Sequence, residues 1–385
     1  ILAYVTFHVG VFGALAEIIP WLADGYKIKS LIIGSILLWL LIMLVLRGVN
    51  TAVVINVIIV IAKIIPIFFL VIAAIFARSF SWEIFFDNWN SASADTFGNQ
   101  VVSTCFVTAW VFLGIEGAVV ISHRAKTTSL AGMASVVSFI SILLLYVLIS
   151  VISMGVADHD ALASYSENYT FSLAGVMEQI VGHWGAVFVN ITAIVSIGLS
   201  MFTYIILCVD SCAGPSENKC FPAKFDERNK YNAPTLAIVI SGIIIEIFVI
   251  LATSSYQNCY YLSTVALVVP YMLSCFYAFK LACKDELVPG ESGGKKVMAW
   301  IYAIIGCLYG IWLFYATCIS DPYVLIAALL FFPGIVFYIA RRKTAGEKLF
   351  PKTTDMVVAI ILAVLFVVAI VLIATGNPAV MNILV

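Results

Sequence analysis

The sequence predicts an all-α polytopic membrane protein, and three observations predict it. Of its 385 residues, 63% are hydrophobic and 11% charged, with a mean hydropathy of +1.11; soluble domains run near 25% charged. Several apolar runs reach the roughly 20 residues that a helix needs to cross hydrocarbon. The cations collect in every second loop between those runs, the pattern that topology imposes on multispanning chains.

Eleven apolar segments follow in order: 1–21, 30–46, 52–76, 101–122, 132–156, 184–212, 235–254, 260–283, 297–317, 323–340 and 355–375. Sixteen of the 20 cations lie after the second, fourth, sixth, eighth and tenth. They are Arg47; Arg124 and Lys126; Lys219, Lys224, Arg228 and Lys230; Lys280, Lys284, Lys295 and Lys296; and Arg341, Arg342, Lys343, Lys348 and Lys352. The opposite loops hold Lys27, Lys29 and Arg78, and Lys63 stands inside a span. The positive-inside rule makes the cation-rich side cytoplasmic, so residue 1 starts near the cytoplasm and Val385 ends outside. The chain opens on Ile1 within an apolar segment and reads as shortened at its N-terminus, with no signal peptide in view.

The outer loops carry their own signals. Residues 77–100 set Trp82, Phe85, Phe86 and Trp89 among polar residues, as an interfacial segment with aromatic anchors does. Residues 157–183 hold Asp158, Asp160, Glu167 and Glu178 and no Lys or Arg, with a short surface helix expected at 172–182. Asn168-Tyr169-Thr170 matches a glycosylation acceptor, a three-residue pattern of low specificity.

Composition excludes several functions. A net charge of −1 points to no nucleic acid or other polyanion. The nine cysteines are scattered without C-x-x-C spacing, and four histidines (8, 123, 159, 183) are too sparse for a metal cluster, so no metal or other cofactor is expected. An intramembrane enzyme needs a nucleophile–base pair or ligands within the spans. Glu116 and Lys63 sit on separate spans, and no span carries a His pair. A non-transporting membrane scaffold is the other competing class; it predicts that both sites tolerate leucine.

The most informative run is Thr108-Ala-Trp-Val-Phe-Leu-Gly-Ile-Glu-Gly-Ala118. A carboxylate at membrane depth costs about 2.5–3.5 kcal/mol on insertion scales, and each flanking glycine weakens a helix by about 1 kcal/mol. Acid plus glycine predicts a discontinuous helix, tolerated only where the backbone faces protein or a watery cavity. The competing reading is a packing helix with a buried, protonated acid. Trp110 lies six residues before Glu116, about 240° round an intact helix; a break at Gly114 would free both to line one cavity. A tryptophan there can stack on a guanidinium or ammonium, or simply pack. Lys63, in Ile61-Ala-Lys-Ile-Ile-Pro66, must face a partner, a cavity or backbone carbonyls, as a proton carrier or as a structural cation.

That run resembles the sixth helix of the basic amino acid/polyamine antiporters of the amino acid–polyamine–organocation superfamily. Phe221-Pro-Ala-Lys-Phe-Asp-Glu-Arg-Asn-Lys-Tyr-Asn-Ala-Pro234 resembles the family's loop after its eighth helix; Val269-Pro-Tyr271 resembles the V-P-Y of the tenth; Leu46-Arg-Gly48, Asn56 and Ala62-Lys63 resemble its fourth-to-fifth passage. The likeness covers nearly the whole chain and is strongest for the arginine/ornithine antiporter branch. It implies a LeuT-type inverted-repeat fold in one transporter domain. Residues 1–76 would then be the rest of the first repeat, 101–283 the second repeat, and 297–375 accessory helices. On that register the first span is the family's third helix, and the unwound first helix that binds substrate carboxylate is not in this sequence.

The resemblance also implies roles. Trp110 would stack on the substrate, Leu113 and Gly114 would offer carbonyls to its ammonium, and Glu116 would link pH to gating. Lys63 would replace a sodium ion. Tyr204 would stand where the arginine/agmatine antiporter has a gating tryptophan, and Tyr271 at the inner gate; Asp210 is either a coupling acid or a helix-end charge. Ala14 departs from a tyrosine of that antiporter, with Glu17 one turn on, at an outer vestibule or the interface. The implied activity is exchange of cationic amino acids across the bacterial inner membrane. Arginine/ornithine antiport leads; a lysine/polyamine-type or general proton-coupled permease is the alternative. The partners implied are small cationic amino acids and the bilayer, with a homodimer left open.

Overall fold

A computed structural model describes residues 1–23, 26–48, 52–90, 96–112, 114, 117, 127–217, 221–251, 256–288, 293–319 and 323–377. Among them it is all-helical, without a named strand. The helices are α1 (Leu2–Ile18), α2 (Pro20–Ala23), α3 (Tyr26–Leu46), α4 (Ala52–Phe76), α5 (Trp82–Asn90), α6 (Phe97–Val111), α7 (Thr128–Val156), α8 (His159–Asn168), α9 (Ser172–Val181), α10 (His183–Glu217), α11 (Thr235–Leu251), α12 (Tyr256–Cys283), α13 (Gly294–Phe314), α14 (Tyr323–Thr344) and α15 (Thr353–Ala374). A 3₁₀ turn at Ala223–Asp226 precedes α11, and a π-helical turn at Tyr315–Ile319 follows α13.

Each of the eleven apolar segments overlaps a helix among the described residues, the fourth only as far as Val111, and the short helix expected at 172–182 is α9. Seven helices, α3, α4, α7, α10, α12, α13 and α15, are long and apolar enough to cross a membrane. α1 and α11 are shorter, with 17 residues each, and α6 has 15. The first segment divides at Ile19, which turns extended ahead of Pro20, because proline disfavours helical geometry in the residue before it.

Packing divides the chain into two units. One is Ile1–Ala94 with Gly114–Cys259; the other is Asp95–Leu113 with Tyr260–Val385. In the first, α10 is the central rod, packed against α1, α4, α9 and α11. α1 and α10 run antiparallel, as the pairs Phe7–Tyr204 and Glu17–Asn190 show. An apolar core of Leu70, Ala74, Ile152, Val156, Met177 and Val189 joins α4, α7, α9 and α10. The interfacial segment forms α5, with Trp82, Phe86 and Trp89 exposed. Asn88 fastens it to the end of α7 by donating to the carbonyls of Met154 (2.6 Å) and Ala157 (2.8 Å). In the second unit, Cys105 and Ala109 of α6 pack with Val268, Leu313 and Ala316.

Candidate functional site

The break expected in the fourth span is present. α6 ends at Val111 with Phe112 as its C-cap, and Gly114 has φ +106°. That is left-handed territory, reached by glycine without the Cβ clash that other residues suffer. Two glycines face α10 here. A Cβ on Gly114 would lie 3.1 Å from Tyr204 Oη, and one on Gly117 would lie 3.6 Å from Leu207. Tyr204 and Leu207, one helical turn apart, therefore form the surface on which the break rests. The Phe7 ring of α1 meets Tyr204 edge-on, with centroids 4.8 Å apart and a geometry that suits aromatic quadrupoles. Phe7 was not legible as a site residue, because nothing in an apolar helix distinguishes one phenylalanine from another.

The remaining sequence-derived residues distribute as follows. Trp110 is half-buried at the end of α6, its ring tilted 32° and 6.1 Å from that of Tyr260. Leu113 and Glu116 lie outside the described residues. Lys63 is exposed on α4 and makes no ion pair among the described residues. Asp210 is half-buried on α10, two turns beyond Tyr204. Tyr271 follows Pro270 inside α12, where Ser274 Oγ donates to the Pro270 carbonyl at 2.9 Å.

Glu17 resolves into an anchor. Its Oε1 accepts from the Thr170 backbone N–H at 2.5 Å and its Oε2 from Asn190 Nδ2 at 2.7 Å. One carboxylate thus joins α1, α10 and the α8–α9 connection. In the same connection Tyr169 donates to Glu178 Oε2 at 2.9 Å. That bond, followed by burial and the charges of Glu178, Tyr165 and Glu17, pushes the Tyr169 phenol up to about 12.

Two of the motif stretches meet. Asn229 Nδ2 donates to the Leu46 carbonyl at 2.9 Å, while its Oδ1 accepts from the Tyr231 and Ala233 N–H groups at 2.8 and 3.1 Å. Gly48, φ +97°, lies under the Tyr231 carbonyl. The side chain that orders the 221–234 loop therefore also caps α3.

Comparison with known proteins agrees with this architecture. The family model described as amino acid permease matches residues 1–324. The chain is 31% identical over 370 residues to an arginine/ornithine antiporter of Pseudomonas aeruginosa, covering 93% of this chain and 75% of the relative. It is 33% identical over 369 residues to an arginine/agmatine antiporter of Chlamydia pneumoniae, covering 93% and 74%. It is 31% identical over 379 residues to an L-lysine transport protein of Corynebacterium glutamicum, covering 94% and 74%. A helical, multi-pass chain with a glycine break resting on α10, matched over most of its length by this family, belongs to the amino acid permeases of the amino acid–polyamine–organocation superfamily.

Proposed function

We propose that the protein exchanges cationic amino acids, arginine against ornithine, by alternating access across the inner membrane. The observation that carries the reading is the left-handed turn at Gly114, set against Tyr204. Backbone at a helix break can offer carbonyls to a substrate ammonium, the role that the family resemblance gives Leu113 and Gly114; the Gly114 carbonyl accepts from the Gly117 N–H at 3.0 Å. Trp110 supplies a ring face for the cationic side chain. Glu116, in the same break, responds to protonation and to substrate charge. Lys63 stands in for a metal cation, Tyr204 and Tyr271 gate the two sides, and Asp210 serves coupling. Both substrates carry one net positive charge, so one-for-one exchange is electroneutral. The repeats 1–76 and 101–283 provide the rocking halves, 297–375 the accessory helices. Residue 1 faces the cytoplasm, in a monomer or homodimer within the bilayer.

The similarity to an L-lysine transport protein favours a second reading, lysine uptake driven by protons. Counterflow into liposomes separates the two. For an exchanger, labelled arginine enters only when ornithine is loaded inside, whatever the pH gradient; a proton-coupled permease needs the gradient and no internal amino acid. No uptake in either arrangement returns the chain to a scaffold. Within the exchanger, Trp110→Leu weakens arginine binding about thirtyfold, the equivalent of a stack of about 2 kcal/mol. Trp110→Phe and Trp110→Tyr retain most of it. Equal loss in all three assigns Trp110 to packing.

A further inference from the structure

Beyond the break, the α1–α3–α11 interface holds polar side chains that no part of the transport reading uses. Glu246 lies in α11 within the run Ile243-Ile-Ile-Glu-Ile-Phe-Val249. Ser35 Oγ of α3 donates to its Oε1. Its Oε2 is buried with no hydrogen-bond partner among the described residues, and the same holds for Tyr4 Oη and His8 Nδ1 of α1. Tyr4 is fully buried and His8 is 4% exposed. Tyr4 is on α1, which packs against α11. His8, one turn further, sits on the bare backbone of Gly34, beside Ser35; a Cβ there would fall 1.9 Å from His8 Cε1. Three helices thus direct four polar side chains into one apolar interface.

Glu246 is half-buried as a residue, but its Oε2 is enclosed without a hydrogen-bond donor among the described residues, and a carboxylate oxygen so placed is stabilised by a bound positive charge. No side chain supplies it among the described residues. From α3 come only Lys27 and Lys29; Lys29 donates to the Trp21 carbonyl at 2.5 Å, six residues from Ser35. α1 brings Tyr4 and His8, with Glu17 more than two turns beyond His8, and the Ile1 ammonium ahead of α1 donates to Cys208 Sγ at 3.1 Å. α10 brings Cys208, Asp210 and Cys212, with Tyr204 and His183 further along. The 3₁₀ turn brings Lys224 and Asp226, 20 or more residues before Glu246. Glu246 forms no ion pair with any of these. No group of three His, Cys, Asp or Glu side chains that could hold a metal ion is present among the described residues; the groups at hand are one carboxyl and two hydroxyls, which supply a single negative charge and oxygen donors.

We propose that the α1–α3–α11 interface is a monovalent-cation site, in which the Glu246 carboxyl binds a proton or a sodium ion with Ser35 and Tyr4 as its oxygen partners. The two occupants share one chemistry, a single positive charge on a buried carboxylate, and two measurements on the purified protein separate them. Infrared spectra compare wild type with Glu246→Gln. A protonated-carboxyl band present in the wild type and lost in the variant identifies the proton. Thermal unfolding is followed in sodium chloride and in choline chloride at equal ionic strength. A sodium-specific rise of the midpoint, lost in Glu246→Gln, identifies the metal ion. Ser35→Ala and Tyr4→Phe each remove one partner, and each should shift the band or weaken the sodium effect, so the test stands even if the glutamine variant does not fold. Spectra identical in wild type and Glu246→Gln, together with midpoints indifferent to sodium, overturn the proposal. Neither measurement uses transport, so failure here is distinct from failure of the exchange reading.

Discussion

The α1–α10 contact is built differently at its two ends. Near Asn190 it is held by Glu17, whose carboxylate takes two directed hydrogen bonds and gathers a third segment with them. Ten residues back along α1, about 15 Å of helix, Phe7 meets Tyr204 ring edge to ring face, and the Gly114 turn rests on the Tyr204 hydroxyl. Hydrogen bonds to a charged group contribute about 1.5–3 kcal/mol each and demand one geometry. An aromatic edge contact contributes about 0.5–1.5 kcal/mol and tolerates sliding. The latched end holds the pair of helices by directed bonds to one carboxylate, and the aromatic end meets through ring contact, which on the proposed reading is where substrate would be met.

The largest effect is expected at the aromatic end. Gly114→Ala places a side chain at φ +106° and drives its Cβ onto Tyr204 Oη. Substrate counterflow should fall below detection while the protein still inserts in the membrane. Unaltered exchange would mean that the turn is incidental.

At the latched end, chemistry rather than bulk should decide. Glu17→Gln keeps an acceptor for the Thr170 N–H, and its new amide can donate to Asn190 Oδ1. That oxygen is buried and has no partner among the described residues. Glutamine should therefore be nearly silent. Glu17→Leu loses both bonds and should raise protease nicking between residues 157 and 183 on the order of a hundredfold, the effect of about 3 kcal/mol for two bonds to a charged group. Equal nicking in both variants would remove Glu17 as the anchor.

The smallest effect is a pH dependence confined to the latch. The folded loop favours the protonated phenol of Tyr169, whose value rises from 10.0 to about 12. Its contribution is complete below pH 10 and disappears as pH climbs through about 12. The ultraviolet tyrosinate titration of wild type minus Tyr169→Phe should show a single group with that midpoint. A midpoint near 10 would mean that the bond to Glu178 does not form.

Much of this was legible in the sequence because hydrophobic runs and their loop charges are one-dimensional signals. The break at Gly114 was legible for the same reason: two glycines and an acid interrupt one run. Other features were not. Glu17 stands at a helix end, where an acid is ordinary, and its partners Thr170 and Asn190 lie 153 and 173 positions away. Glu246 interrupts a run of isoleucines, with its nearest glycine, Gly242, four residues away inside an unbroken helix. It therefore lacks the backbone signal that made Glu116 conspicuous, and only the packing of α3 on α11 reveals Ser35 beside it. For Lys63 the sequence left a partner, a cavity or backbone carbonyls open; among the described residues its side chain is exposed and forms no ion pair.

The bond from Asn229 to the Leu46 carbonyl bridges 183 positions. A ribosome adding about 5–20 residues per second takes roughly 10–40 s to travel that distance. Throughout that interval the end of α3 lacks its cap, so its last carbonyl must find another partner until α10 and the following loop have been synthesised. The cap therefore works as a late checkpoint of biogenesis: it closes only after the helices between residues 46 and 229 have been threaded in order. A nascent chain stalled before Asn229 should carry an α3 terminus that frays and exchanges its amide protons rapidly, and one released beyond it should not.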